Sequence, residues 1–186
     1  QMWSRGKADL TAYSGQIIRL GFYHQEDTEY QAKYDNDEHF EACGWYIDDI
    51  EIKVASIVQA PFLESFESGW NSWSSERGVW QVGEPSSGPS SAFSGTSLVG
   101  TNLSGDYPYR TDSQLHSPVI QLPQVGDSER LVLEFMQWFE YAAPFDTRYR
   151  DHEHPSTDGG DVRIKVYEDG AWGEWIVVRS HIAFEN

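Results

Sequence analysis

The sequence predicts an all-β protein built as a sandwich of two antiparallel sheets, and three observations indicate this. Helical periodicity is missing almost everywhere along the 186 residues. Short apolar runs alternate instead with clusters of Gly, Pro, Ser and Asp, which is typical of strands joined by turns. Apolar residues make up 39% of the chain and aromatic residues 15%, so the chain can bury a core rich in rings. We therefore expect at least ten strands and under about a tenth helix.

The strand candidates follow one another along the chain with breakers between them. In order they are Ile17–Tyr23, Trp45–Ile52, Gly78–Val82, Ser117–Leu122, Leu131–Phe139, Asp161–Glu168 and Trp175–Arg179. Residues Glu168 to Ala171 predict a tight hairpin, because the central Asp-Gly pair tolerates positive φ. At most one short helical turn is expected, over Lys7 to Tyr13. Residues 53–64 are expected either to link two β units or to form a strand that leads into the second.

Two polar insertions, at residues 24–42 and 143–160, are longer than a typical hairpin loop. The first contains Asp35-Asn36-Asp37-Glu38, which lacks the central Gly and the distal Glu of an EF-hand. A solvated acidic loop is favoured there over a second cation site. The second contains Asp151-His152-Glu153-His154, which lacks the helical spacing of a zinc protease. A polar surface loop is favoured there over a zinc or copper site.

Charge and cysteine content exclude several classes of function. Thirty acidic residues against 13 basic ones give a formal net charge of −17, which excludes non-specific nucleic-acid binding and disfavours anionic lipid. No run approaches the ~20 apolar residues that span a bilayer, so membrane insertion is not expected. Cys43 is the single cysteine, which excludes a disulfide framework. This composition favours an extracellular, secreted protein.

Several motifs resemble a bacterial extracellular jelly roll. Phe66 to Trp70, Gly78 to Trp80, Ala92 to Thr96 and Asp112 to Pro118 are similar to the opening half of MAM-like modules and of calcium-containing jelly-roll carbohydrate-binding modules. Asp9 to Phe22 and Gly44 to Ile50, which reads GWYIDDI, are similar to the closing half. The resemblance implies a jelly-roll β-sandwich. It is weak evidence for function, because this sandwich serves many roles.

The two halves stand in reversed order, since residues 1–58 form the closing half and residues 59–186 the opening half. Together they make about one domain. Three arrangements fit: a cut from a tandem array, a circular permutant that closes on itself, or halves that complete the sandwich of a neighbouring copy. The exchange or tandem arrangement is favoured, and in each case Trp45, Ile47 and Ile50 are expected to be buried against strands of the opening half.

Asp48, Asp49 and Glu67 are the candidate metal ligands. Adjacent acids within an apolar strand are costly to bury unless a cation or several donors compensate. In the modules that this chain resembles, these strands meet near a structural calcium, so the resemblance implies calcium or a similar cation bound by Glu67 and by one of Asp48 and Asp49. The alternative is that one Asp faces solvent while the other caps a backbone turn.

Three aromatic residues are the candidate glycan contacts. Tyr107 and Tyr109 lie in a turn beside Arg110, and Trp172 follows the Asp-Gly turn. If exposed, these rings are able to stack on a sugar, whereas rim packing of the sandwich is the alternative. A glycan binder is expected to display a row of exposed Trp or Tyr on one face.

The function predicted from these features is non-enzymatic. We expect an extracellular structural or adhesive module of a repetitive surface or fibre-forming protein, whose partners are neighbouring copies of itself or adjacent repeats. The alternative is a carbohydrate-binding module attached to a secreted hydrolase. A hydrolase is disfavoured, because no set of acid, base or metal ligands stands out in the sequence.

Overall fold

The computed structural model describes residues 2–25, 42–54, 62–108, 111–140 and 159–182. These ranges contain thirteen strands and no α-helix, which confirms the predicted all-β class. In chain order the strands are β1 (Ser4–Asp9), β2 (Ile17–Gln25), β3 (Gly44–Val54), β4 (Phe62–Glu64), β5 (Ser74–Glu76), β6 (Gln81–Gly83), β7 (Leu98–Gly100), β8 (Asp112–His116), β9 (Ile120–Gln121), β10 (Leu131–Glu140), β11 (Gly159–Glu168), β12 (Ala171–Trp172) and β13 (Ile176–Ile182). The described ranges hold no helix with the length and apolar character needed to cross a bilayer.

The strands form two sheets that face each other. The first has six strands in the order β1-β10-β3-β7-β6, with β4 also beside β3. The second has seven strands in the order β12-β11-β2-β8-β5, with β13 also beside β11 and β9 beside β2. Every pairing in both sheets is antiparallel.

Aromatic rings fill the space between the sheets. Phe22 of β2 packs edge-on against Trp45 of β3, with ring centroids 5.8 Å apart, and against Phe135 of β10 at 5.3 Å. All three side chains are fully or almost fully buried. Edge-to-face rings add directional packing to apolar burial, so this contact joins the two sheets at the centre of the core.

The closing and opening halves interleave within one chain. Strand β3 of the closing half lies between β10 and β7 of the opening half, and β2 lies between β11 and β8. Trp45, Ile47 and Ile50 are fully buried, as predicted. A single chain is therefore able to complete one sandwich, and exchange of halves between chains stays a prediction.

Local differences from the sequence predictions occur near the N-terminus and at the hairpin. The helical turn predicted over Lys7 to Tyr13 is wrong at its start, because Ser4–Asp9 pair with β10; a 3-10 turn spans Thr11–Tyr13. The Asp-Gly hairpin is confirmed, since Asp169 and Gly170 have φ of 52° and 84° and Glu168 pairs with Ala171. Positive φ at both central residues matches the right-handed twist of the flanking strands.

Candidate functional site

Asp48 and Asp49 lie at a bulge in β3. Asp49 and Ile50 together oppose Phe135, and Asp49 has a φ of 47°. Such a bulge bends the strand and redirects its side chains. Asp48 is fully buried; its Oδ1 accepts the Asp49 N–H at 2.8 Å and its Oδ2 accepts the Ser94 N–H at 3.1 Å. The Ser94 hydroxyl donates to Asp49 Oδ1 at 2.8 Å, so both carboxylates hold the same serine.

Glu67 holds the other end of the loop that begins at Ser94. It accepts the N–H groups of Thr96 at 2.9 Å and Ser97 at 2.7 Å, and the Thr96 hydroxyl at 3.1 Å. Gly95 lies beside this carboxylate with a φ of 61°, and a Cβ there would clash with Glu67 Oε1. We call this arrangement the acidic anchor: Asp48, Asp49 and Glu67 bound to the loop 94–97.

Environment shifts the pKa of two anchor carboxyls in opposite directions. Burial raises the pKa of Asp48 to about 6, although the backbone N–H groups of Ser94 and Asp49 oppose that shift. The backbone N–H groups of Ser97 and Thr96 lower the pKa of Glu67 below its ordinary value. The anchor therefore combines one carboxyl that is costly to ionise with one that its donors keep ionised.

The anchor carboxylates already accept hydrogen bonds from protein donors. Calcium takes six to eight oxygen ligands, whereas these carboxylates accept N–H and O–H groups from one loop. Within the described ranges, no three His, Cys, Asp or Glu side chains stand close enough together to hold a metal ion. The hydrogen bonds account for the burial of Asp48 without a cation, and the calcium site stays a prediction.

The three predicted glycan contacts differ in burial and in whether the structure describes them. Tyr107 is buried rather than exposed, because its ring packs edge-on against His24 with centroids 4.7 Å apart. Tyr109 lies outside the described residues, as do residues 26–41 and 141–158, which include Asp35–Glu38 and Asp151–His154. Trp172 is half-buried in β12 and lines a surface groove, so one of the three predicted aromatics is available to a ligand.

This groove, which we call the Trp172 groove, encloses about 520 Å³ at one end of the seven-stranded sheet. Its walls combine two aromatic rings, an amide, acidic side chains, small residues and two branched aliphatic residues around the hairpin: Tyr13, Trp172, Gln16, Glu168, Asp169, Glu174, Ala12, Ala171, Gly173, Val166 and Ile176. Flat apolar rings beside hydrogen-bond acceptors suit a ligand with apolar faces and many hydroxyl groups.

Next to the groove, the outer face of the seven-stranded sheet carries cations among indole rings. Arg19 of β2 and Lys165 of β11 each lie over the Trp172 ring, 5.4 Å from its centroid. Lys165 also lies over the Trp175 ring at 4.6 Å, and that ring stacks on His116 with centroids 5.0 Å apart. Trp172 therefore belongs both to the groove and to this cationic face.

Sequence reasoning missed this face. Arg19 and Lys165 occupy outward strand positions that look ordinary in the sequence, because only the pairing of β2 with β11 places them opposite each other. The available signal was the pair Trp172 and Trp175 in one short segment after the Asp-Gly turn. Two indoles so close to one tight turn are candidates for a shared surface.

The fold and these two regions define a β-sandwich module with a surface groove. Part of the chain is similar to bacillopeptidase F of Bacillus subtilis (strain 168), at 34% identity over 101 residues. That match covers 53% of this chain and 7% of the peptidase. No protein-family model matches the chain, and no solved structure matches it. The similarity is therefore confined to a small part of a much longer protein.

Proposed function

We propose that this chain is a non-catalytic glycan-binding module of a larger extracellular protein, with the Trp172 groove as its site. The observation that carries the proposal is the groove itself. Trp172 and Tyr13 supply ring surfaces, while Gln16, Glu168 and Glu174 supply acceptors for hydroxyl groups. Sugars present apolar C–H faces and rings of hydroxyls, so this combination matches their chemistry.

The larger protein is inferred from the match to bacillopeptidase F, of which the similar segment is a small fraction. A domain of that kind is able to keep an enzyme near its substrate without taking part in the reaction. An extracellular location is part of the proposal and is supported by the match to bacillopeptidase F.

Replacing the Trp172 ring tests the proposal. We expect a neutral oligosaccharide panel, titrated by calorimetry, to contain at least one ligand, and Trp172→Ala to weaken its binding at least tenfold. Trp70→Ala is the matched control, because Trp70 is 37% exposed and is not among the residues that line the groove. Equal loss in both variants, or binding unchanged by Trp172→Ala, would contradict the groove as the site.

A structural or adhesive module assembled by exchange of halves is the second candidate. The position of β3 favours it, because this strand of the closing half pairs with β10 over nine residue pairs and also with β4 and β7. The same main-chain pairing between two copies would make a joint that is hard to dissociate. Head-to-tail exchange does not close, so it would grow into a filament.

Light scattering on the purified chain separates the self-closed sandwich from the exchanged one. A monodisperse species of about the 21.2 kDa chain mass is expected if β3 pairs within its own chain. Species that lengthen with concentration and time would favour exchange. A Trp45→Ala variant offers no control here, because it damages the shared core of both arrangements.

A further inference from the structure

Two positive charges face each other directly on neighbouring strands. Arg19 of β2 and Lys165 of β11 are partners in the antiparallel register. Side chains at such positions have Cβ atoms about 4.5–5.5 Å apart, and like charges there destabilise the sheet. The arrangement is unusual in a chain whose formal net charge is −17, because acidic side chains outnumber basic ones by 30 to 13.

No carboxylate oxygen of a described residue lies within ion-pair distance of Arg19 or Lys165. Six of the other seven described Lys and Arg residues have a carboxylate oxygen within 4.0 Å, namely Arg5, Lys7, Lys53, Arg77, Arg130 and Arg163. The seventh, Arg179, donates a hydrogen bond to the Lys7 carbonyl. Arg19 and Lys165 form no such ion pair with any described residue, and among those residues the buried Arg19 Nε has no hydrogen-bond partner. The titratable groups around them are Glu76 and His116, and Glu76 Oε1 lies 3.8 Å from His116 Nδ1. Burial lowers the pKa of His116, which favours its neutral form.

The surroundings of Lys165 make its charge costly without a counter-ion. Burial lowers the pKa of Lys165, and the neighbouring Arg19 charge lowers it further, whereas Glu76 opposes the shift. Indole rings lie beside both cations, and they attract a positive charge only weakly compared with an anion. A bound oxyanion would satisfy both cations at once.

We propose that Arg19 and Lys165 bind the oxyanion of an acidic polysaccharide whose neighbouring sugars lie in the Trp172 groove. This inference rests on the proposed glycan-binding function and names the class of glycan. Trp172 connects the two parts, because it lines the groove and lies against both cations. Glu168 and Glu174 in the groove repel an acidic substituent, so that substituent faces the cations and the neutral ring face lies in the groove.

Calorimetric titration with four probes tests the inference. The probes are a tetragalacturonate, a sulfated oligosaccharide of equal length, the uncharged cellotetraose and sodium sulfate. We expect at least one acidic oligosaccharide to bind at least tenfold more tightly than cellotetraose. The double variant Arg19→Gln/Lys165→Gln is expected to abolish that preference, so that acidic oligosaccharides bind it no more tightly than cellotetraose does.

Controls keep the test decisive. Arg130→Gln removes one positive charge, as Lys165→Gln does, but at a cation already paired with Asp9, and we expect it to leave the preference within twofold. Lys165→Gln alone is the second variant if the double variant unfolds by circular dichroism. The tetragalacturonate and sulfated arms identify whether the oxyanion is a carboxylate or a sulfate.

Three outcomes would overturn the inference, and they separate it from the proposed function. Equal binding of acidic and neutral oligosaccharides overturns the inference and leaves the glycan-binding function standing. Sodium sulfate binding as tightly as the acidic oligosaccharides reduces the pair to a simple ion site. Absence of binding by every oligosaccharide overturns both.

Discussion

The acidic anchor and the pair formed by Arg19 and Lys165 treat charge in opposite ways. In the anchor, the carboxylates accept hydrogen bonds from Ser94, Thr96 and Ser97, a loop far from them in the chain. At the outer face, the cations Arg19 and Lys165 lie opposite each other beside indole rings. The carboxylates of the anchor are paired with donors that hold the loop 94–97 in place. The charges of Arg19 and Lys165 instead remain available to a ligand.

The difference follows from the cost of burying charge. A buried carboxylate is tolerated when donors replace the water it loses, as they do at Asp48. A cation on the sheet surface retains part of its hydration, so it costs less than a buried carboxylate and the fold tolerates it without a protein partner. We therefore infer that the anchor is structural and that the cationic face is the part of the molecule shaped for a ligand.

The largest expected effect comes from removing Asp48. Asp48→Ala leaves the backbone N–H groups of Ser94 and Asp49 without their acceptor, and each lost partner costs about 1–3 kcal/mol. We expect the free energy of unfolding, measured in urea, to fall by about 3 kcal/mol. Lys165→Gln is the contrast, because it removes one of two facing like charges and is therefore not expected to lower stability.

Equal losses in the free energy of unfolding for Asp48→Ala and Lys165→Gln would contradict the difference inferred between the two regions. Asp48→Asn sharpens it, because an amide keeps the shape and one acceptor oxygen while replacing the other with a donor. An intermediate loss in Asp48→Asn is expected if hydrogen bonding, rather than side-chain volume, holds Ser94 in place.

A smaller effect is expected from Gly95→Ala. A Cβ at Gly95 would displace the Glu67 carboxylate, and the φ of 61° is unfavourable for any residue with a side chain. The backbone cost alone is about 1–2 kcal/mol. Gly69→Ala is the matched control, since Gly69 has a φ of 81° but no described atom lies within 4 Å of the position that its Cβ would take. Thermal unfolding is expected to show a larger loss for Gly95→Ala, and equal losses would argue that Glu67 does not hold the loop.

The sequence was sufficient for the fold class because apolar runs and turn residues act locally. The Asp169-Gly170 turn and the long strands β2, β3, β10 and β11 have such signals in the sequence itself. Short strands such as β4, β5 and β7 have three residues each, so they show no period that a sequence pattern could reveal. Their strand geometry depends on pairing with β3 and β8, which is a tertiary effect.

The candidate site was predictable in part for the same reason. The cost of burying Asp48 pointed to compensating groups near it, but only the folded chain identifies those groups as the loop 94–97. The exposure of aromatic side chains was harder to predict, because Tyr107 and Trp172 both lie beside turns in the sequence. The fold buries Tyr107 and leaves Trp172 in a groove. The facing cations Arg19 and Lys165 depend on strand register, which no local pattern specifies.

The smallest expected effect is that of chelation, and it decides between the two accounts of the anchor. A ligand that binds only the folded state raises the melting temperature by mass action, so a structural calcium predicts a lower melting temperature in EDTA and recovery on adding calcium. The donors from Ser94, Thr96 and Ser97 already serve Asp48, Asp49 and Glu67. We therefore expect melting curves with EDTA and with calcium to coincide within about 1 °C, and Glu67→Ala to melt lower by the same amount in both. A calcium-dependent rise in the parent chain that Glu67→Ala abolishes would instead establish the cation site, and would make the anchor a second place where charge is left available to a ligand.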